Sequence, residues 1–320
     1  MRDVGFVISS KENERRRALS PEHVSRLHHS ASLTFETGYG DVLGAGDAHY
    51  LAAGARIVAR EDAWACPVVC SVKAPTADEA ALLSEGQIIF GWLHAVQNRD
   101  VTDMLVNRGM TGIAWEEMVA ADGYIFRGNR QLTGEAGVLH ALLCLGRVAA
   151  GLRVAVVGYG NVGRAAARAL RALGAEVTPY DIDDEARFRR EFHRYDIIVV
   201  AVLWDVMRHD RLLYRDDLPK LRAGAAIVDL SCDDGLEVET SRPTTIDDPV
   251  RVVDGVPHYA VDHVPALVWR SATDVIGDAL VPYVDALVEG REEDDPVLRA
   301  ATVVRRGAIV DQRIEAFQGR

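Results

Sequence analysis

One stretch constrains the fold of this chain more than any other: residues 153–181, RVAVVGYGNVGRAAARALRALGAEVTPYD. Residues 153–157 are a short β-branched run of the kind that forms a buried parallel strand. Gly158, Gly160 and Gly163 follow as G-x-G-x-x-G. The first glycine permits a tight turn, the second lets a pyrophosphate approach the backbone, and the third lets a helix pack closely on the strand. Val162, Ala166, Ala169, Leu170 and Leu173 fall on one face of that helix, and Gly174 stops it. Residues 177–180 form a second strand, closed by Asp181.

A G-x-G-x-x-G in isolation carries little information. Here it follows a strand, opens a helix and has an acid about 20 residues on, which is the dinucleotide fingerprint rather than a packing turn. Gly158, Gly160, Asn161, Val162 and Gly163, with Asp181 and Ile182, are the expected cofactor contacts. A carboxylate at Asp181 accepts hydrogen bonds from a ribose 2′-hydroxyl and repels a 2′-phosphate. No arginine follows at once, and Asp183, Asp184 and Glu185 deepen the repulsion. NAD(H) is therefore expected over NADP(H).

Composition narrows the class. At 320 residues the chain favours two domains, and 48% hydrophobic residues suffice for sizeable cores. A net charge of −12 argues against nucleic acid or an anionic membrane surface as partner. No apolar stretch reaches membrane-spanning length, and the N-terminus turns polar and acidic too early for a signal peptide. Cys66, Cys70, Cys144 and Cys232 form no metal or redox spacing, so packing in a reduced cytoplasm is expected, with no metal.

Apolar strands alternate with helical segments along the chain. Residues 4–8, 33–36, 68–72, 87–92 and 112–115 read as strands, and Ser20 with Pro21 opens a helix. Residues 132–149 read as a helix apolar nearly all round, which predicts burial. Residues 197–202 and 225–230 are further strands. The segment 204–222 is the least readable. Residues 265–287 form a long helix containing Pro282, and residues 301–317 a strand pair and a last helix. The expected fold is α/β: two domains, each with a mainly parallel sheet flanked by helices, the second a Rossmann NAD-binding domain inserted into the first. The first covers residues 1–129 and 267–320, the second 130–266.

In open α/β sheets, ligands sit beyond the carboxyl ends of the strands. Lys73, His94, Glu116 and Asp233 lie at such ends. Each has a bland alternative: a solvated lysine, a core histidine, an aspartate that forms a turn. Their coincidence beside a cofactor site favours chemistry. A cation holds a substrate carboxylate, a histidine moves a proton, and a carboxylate steadies iminium-like charge while the cofactor supplies hydride. Such a set, placed on two domains, predicts a cleft that closes to exclude water.

SKENERRRALSP from Ser10, VKAP around Lys73, IIFGWLHA ending beside His94, IAWEE with Glu116, GYGNVG and VDLSCDDG with Asp233 occur in that order. Together they resemble the segments of the alanine dehydrogenase and pyridine nucleotide transhydrogenase family. The resemblance runs to about Thr273. It implies that Arg16 and Lys73 grip the substrate carboxylate, with the register among Arg15, Arg16 and Arg17 left open. It also implies that His94 and Asp233 are catalytic and that Glu116 belongs to the substrate site. GWLH, EAGVLHALL and VPALVWR are more similar to the family's smaller branch, the N5-(carboxyethyl)ornithine synthases. Those enzymes prefer NADPH, and Asp181 departs from that. An asparagine that lines the relatives' pocket corresponds to His263 here. Trp92 and Trp269 are candidates for the pocket wall and equally for core or interface.

The reaction implied is NAD(H)-dependent reduction of the imine between a small 2-oxo acid, such as pyruvate or glyoxylate, and an amino-acid amine, giving an N-(carboxyalkyl) amino acid. One alternative is an alanine-type dehydrogenase that uses ammonia. Another is the reverse oxidation of a secondary amine. A third, from a different class, is a non-catalytic NAD-binding module of the transhydrogenase kind. The partners expected are small molecules, with neither nucleic acid nor membrane. A homo-oligomer is implied by the resemblance alone.

Overall fold

Short runs of valine, isoleucine, phenylalanine and cysteine, bounded by turn residues, set the strands. The computed structural model describes residues 1–205, 208–232 and 235–320. In chain order the strands are β1 (Val4–Phe6), β2 (Leu33–Glu36), β3 (Arg56–Val58), β4 (Val68–Ser71), β5 (Ile88–Gly91), β6 (Thr111–Ala114), β7 (Val119–Ala120) and β8 (Gly123–Tyr124). Then come β9 (Arg153–Val157), β10 (Glu176–Tyr180), β11 (Ile197–Val200), β12 (Ala226–Asp229), β13 (Val250–Val253), β14 (Val256–Tyr259), β15 (Thr302–Arg305) and β16 (Ala308–Ile309).

Two compact units result. Met1–Phe126 and Trp269–Arg320 form one, and Arg127–Val268 forms the other. The first unit holds an eight-stranded sheet in the order β16-β15-β6-β5-β4-β1-β2-β3. From β6 to β3 every neighbour is parallel, whereas β15 joins β6 antiparallel. The inner strands β4, β5 and β6 are buried along their whole length, as expected for a sheet covered on both faces. Beside β1, Phe6 stacks on Phe35 with centroids 4.6 Å apart, and Tyr39 and Tyr50 close the cluster. The helix Trp269–Glu289 buries Ile276, Leu280, Val284 and Leu287 on one helical face and carries Pro282 without ending there.

The inserted unit holds a sheet in the order β10-β9-β11-β12-β14-β13, parallel except for the edge strand β13. Its core sets Val154, Val156, Ile197 and Val199 against Ala166, Leu170 and Val138. The helix expected over 132–149 runs Arg127–Cys144 and is not buried all round. Ala136, Val138, Ala141 and Leu142 face inward, but Leu143 is 78% exposed. The apolar content was read as burial on every side, whereas the helix packs by one face only. That face meets the helix Asn161–Ala172 so closely that a Cβ at Gly134 would stand 2.1 Å from the Val162 carbonyl oxygen. Within the hard-to-read segment, Arg215–Lys220 forms a 3-10 helix. No helix of the described residues is long and apolar enough to cross a membrane.

Candidate functional site

β6, β5, β4 and β1 are consecutive neighbours and run parallel, so their carboxyl ends share one edge of the sheet. Glu116, His94 and Lys73 stand just beyond β6, β5 and β4, and Arg16 lies on the segment leaving β1. The structure thus places these four on one edge of one unit.

His94 is an exposed residue held in a left-handed backbone, with φ 47°. That conformation costs roughly 1–2 kcal/mol for a side chain with a Cβ. It is clasped from both sides. The His94 N–H donates to Glu116 Oε1 at 2.5 Å, and the Leu93 N–H donates to Oε2 at 3.1 Å. The His94 carbonyl accepts from Gln97 and Asn98 at 3.1 and 2.8 Å. Burial pushes the Glu116 carboxyl up to about 7 even though these backbone donors favour its charged form. Glu116 therefore spends both oxygens on the turn that presents His94.

The three arginines point three ways. The Arg15 guanidinium lies over Trp269, 3.4 Å from the ring centroid. Buried Arg17 donates to the Tyr39 and Arg16 carbonyls at 2.5 and 2.9 Å. Arg16 turns onto the buried carboxylate of Glu14, donating from its backbone N–H at 3.0 Å, Nε at 2.8 Å and Nη2 at 2.5 Å. Its guanidinium also sits over Trp92, 5.1 Å from the centroid. Burial alone would raise the Glu14 carboxyl, but Arg16 and Lys73 together hold it below the usual carboxylate range. Of the three, Arg16 is thus the one grouped with Lys73. Trp92 packs against Trp115 and Phe126 and donates from Nε1 to the Tyr124 hydroxyl at 3.3 Å. Trp269 Nε1 donates to the Val42 carbonyl at 2.9 Å. The sequence reading missed Glu14. Its signal was a glutamate two residues before an arginine, close enough to choose that arginine's direction.

In the inserted unit the sheet order reverses at β9, the position where open α/β sheets bind ligands. Gly158 makes the turn at φ 87°, and a Cβ there would meet the Ala201 carbonyl oxygen at 2.4 Å. A Cβ at Gly163 would stand 1.8 Å from the Gly158 carbonyl oxygen. At Gly160 a Cβ would meet nothing within 4 Å. Gly160 caps the helix Asn161–Ala172, whose first N–H groups lack intrahelical acceptors. This cradle of open backbone at a helix N-terminus fits a pyrophosphate. Asp181 follows β10 on an exposed turn, accepting from the Ile182 N–H at 3.0 Å, and Ile182 is 85% exposed beside it. Arg187 is bonded to Asp184 at 3.2 Å and to the Pro179 carbonyl at 3.0 Å. Asp181 thus stands exposed just past the end of β10.

Asp233 lies outside the described residues. The turn leading to it is pinned by buried Asp229, the last residue of β12. Asp229 accepts from the Ser231 and Cys232 N–H groups at 3.0 and 3.1 Å and from Ser241 Oγ at 2.5 Å. Burial pushes the Asp229 carboxyl up. Cys232 takes a left-handed backbone at φ 61°. His263, on the segment after β14, is buried in the inserted unit, with Nδ1 2.5 Å from Asp262 Oδ1.

A Rossmann unit inserted into a second parallel α/β unit defines a two-domain dinucleotide-dependent oxidoreductase. The structure matches a solved L-alanine dehydrogenase with a TM-score of 0.85 and 27% identity over 99% of both chains. The models of the alanine dehydrogenase/PNT N-terminal and C-terminal domains match residues 8–125 and 183–312. An alanine dehydrogenase of Halomonas elongata is 34% identical over 96% of this chain and 94% of its own length. An N(5)-(carboxyethyl)ornithine synthase of Clostridium botulinum is 28% identical over 88% of this chain and 93% of its own. The chain belongs to the alanine dehydrogenase/PNT family. It is a nicotinamide-dependent dehydrogenase of that family.

Proposed function

We propose that this enzyme uses NAD(H) to reduce the imine formed between a small 2-oxo acid and an amino-acid amine. The observation that carries the reading is that Lys73 and His94 follow the ends of adjacent strands of one sheet, with Arg16 on the segment leaving the next strand, β1. Arg16 and Lys73 bind the oxo-acid carboxylate, the arginine by charge-assisted hydrogen bonds. That fixes the 2-carbon near His94, whose exposed ring protonates the carbinolamine oxygen as water leaves. The resemblance assigns Asp233 to take a proton from the incoming amine and to stabilise the iminium charge. Gly158, Gly160, Asn161, Val162 and Gly163 hold the pyrophosphate, and Asp181 holds the ribose beside Ile182. When bound, the cofactor supplies the hydride. The exposed Asp181 carboxylate favours a 2′-hydroxyl over a 2′-phosphate, hence NADH over NADPH. His263 is retained as a proposed substrate-site residue. The setting of this reading is a cytoplasmic homo-oligomer.

The choice of amine rests on the economy of the chain. In the Halomonas comparison, 96% of 320 residues, about 307, are spread over 356 aligned positions. In the Clostridium comparison, 88%, about 282, occupy 298. The chain thus lacks more of the alanine dehydrogenase than of the synthase, which supports an amino acid as the amine. The higher identity to the Halomonas enzyme supports the second reading, in which ammonia is the amine.

Pyruvate, glyoxylate and 2-oxoglutarate, each paired with ammonium, ornithine or lysine and followed by NADH absorbance, separate the two. Turnover with ammonium and none with amino acids would sink the condensation reading. His94→Ala should abolish turnover while sparing NADH affinity. An active variant would remove His94 from the acid–base role.

A further inference from the structure

Arginine carries five N–H donors in a rigid fork and so can serve two carboxylates at once. Glu14 occupies the Nε–Nη2 edge of Arg16 in side-on geometry and also takes its backbone N–H. Among the described residues, no bond from Nη1 accompanies those from N, Nε and Nη2. The pair is buried, with side chains 0% and 4% exposed for Glu14 and Arg16, so water screens it little. The aromatic wall of Trp92, Trp115 and Phe126 stands behind the guanidinium and lowers the local dielectric further. Glu14 thus sets an anion between the cations Arg16 and Lys73, both of which act on its carboxyl.

We propose that Glu14 determines specificity: it cancels one of the two cations, so that this end of the pocket accepts a single carboxylate and rejects 2-oxo acids that carry a second. The inference rests on the proposed function above. Arg16, Lys73 and Glu14 together carry one net positive charge, matched by one substrate carboxylate. A second substrate carboxylate, a few bonds away, meets the Glu14 anion at close range, and such juxtaposition of like charges is how sites exclude near relatives of their ligand. Arg16 and Lys73 also hold the Glu14 carboxyl below the usual carboxylate range against the effect of burial. Glu14 further picks the arginine. Of three consecutive guanidiniums it holds Arg16, whereas Arg15 goes to Trp269 and Arg17 to the Tyr39 carbonyl.

The test compares kcat/KM for pyruvate and 2-oxoglutarate, with a fixed amine and saturating NADH, in the parent, Glu14→Gln and Glu14→Asp. Glu14→Gln keeps the shape and removes the charge. It should move the ratio at least tenfold towards the dicarboxylate, whereas Glu14→Asp, which keeps the charge, should hold the parent ratio. A loss of both substrates in equal proportion in Glu14→Gln would overturn the proposal, since that is what a structural brace would produce. An arm that needs no variant measures inhibition of the parent by propionate and malonate. The dianion should inhibit at least tenfold more weakly, and parity would overturn the proposal even if Glu14→Gln failed to fold. A parent inactive with every oxo acid would remove the proposed function and this inference together. Parent turnover with an unshifted ratio would remove the role of Glu14 alone.

Discussion

The grip of Glu116 on the His94 turn makes a quantitative prediction. Glu116→Gln replaces one acceptor oxygen with an NH2 group that faces a backbone N–H at Leu93 or His94. A backbone donor left without an acceptor costs about 1–3 kcal/mol. The left-handed backbone at His94 already stands roughly 1–2 kcal/mol above ordinary conformations, so little of that loss can be absorbed there. At about 1.4 kcal/mol per factor of ten, the held geometry falls in population by roughly 10- to 100-fold, and kcat/KM with it. The pH profile adds a second signature. Burial raises the Glu116 carboxyl to about 7, so the fold favours its neutral form. Folding stability from this group is therefore present at low pH, and about 3 kcal/mol of it is lost as pH rises from the ordinary carboxyl range through 7. Activity runs the opposite way, because only the carboxylate accepts from both N–H groups. The parent should lose kcat/KM as pH falls through about 7, and that component should vanish in Glu116→Gln. The assay is kcat/KM for NADH-dependent reduction against pH, with NADH affinity by fluorescence. A variant within about twofold of the parent at every pH, or one whose loss is matched by weaker NADH binding, would refute the reasoning.

Three further outcomes follow from the same geometry. Asp181→Ala should weaken NADH by roughly tenfold or more, in line with about 1.5–3 kcal/mol for hydrogen bonds to a charged acceptor, and narrow the preference over NADPH; titration with both cofactors checks it, and an unchanged preference contradicts the role of Asp181. Gly163→Ala puts a Cβ 1.8 Å from the Gly158 carbonyl oxygen, so the helix must lift off the strand; a loss of about 1–3 kcal/mol in denaturant unfolding and weaker NADH binding are expected, and a parent-like midpoint contradicts the packing. Phe35→Ala empties one side of the stacked pair with Phe6 and should cost about 3–5 kcal/mol in the same experiment, with a loss below about 1 kcal/mol counting against the cluster as core.

The fold class was legible because its signals are local. The glycine turn, the β-branched runs and the strand–helix alternation each depend on residues adjacent in sequence, and the sheets of both units follow from them. What was hidden depends on contacts far apart in the chain. That Arg16 rather than Arg15 or Arg17 turns onto Glu14 is decided together with Trp269 and the Tyr39 carbonyl, which no spacing rule weighs together. The resemblance assigns Glu116 to the substrate site, and no spacing shows that its oxygens also serve backbone donors of the neighbouring strand's loop. The helix Arg127–Cys144 misled through composition, since apolar content alone does not tell a buried stripe from an exposed Leu143. The antiparallel docking of β15 on β6 has no signature in either segment.

That last pairing bears on how the protein is made. The first unit is not finished until β15 arrives, almost at the end of the chain. The inserted unit, continuous from Arg127 to Val268, has all its strands earlier and can fold as they leave the ribosome. Until then β6, buried along its length in the finished sheet, is an open edge of apolar strand, the kind that recruits other chains. A chain cut before Thr302 would keep every residue of the proposed active site and still be born sticky. Its yield, rather than its chemistry, would show the loss.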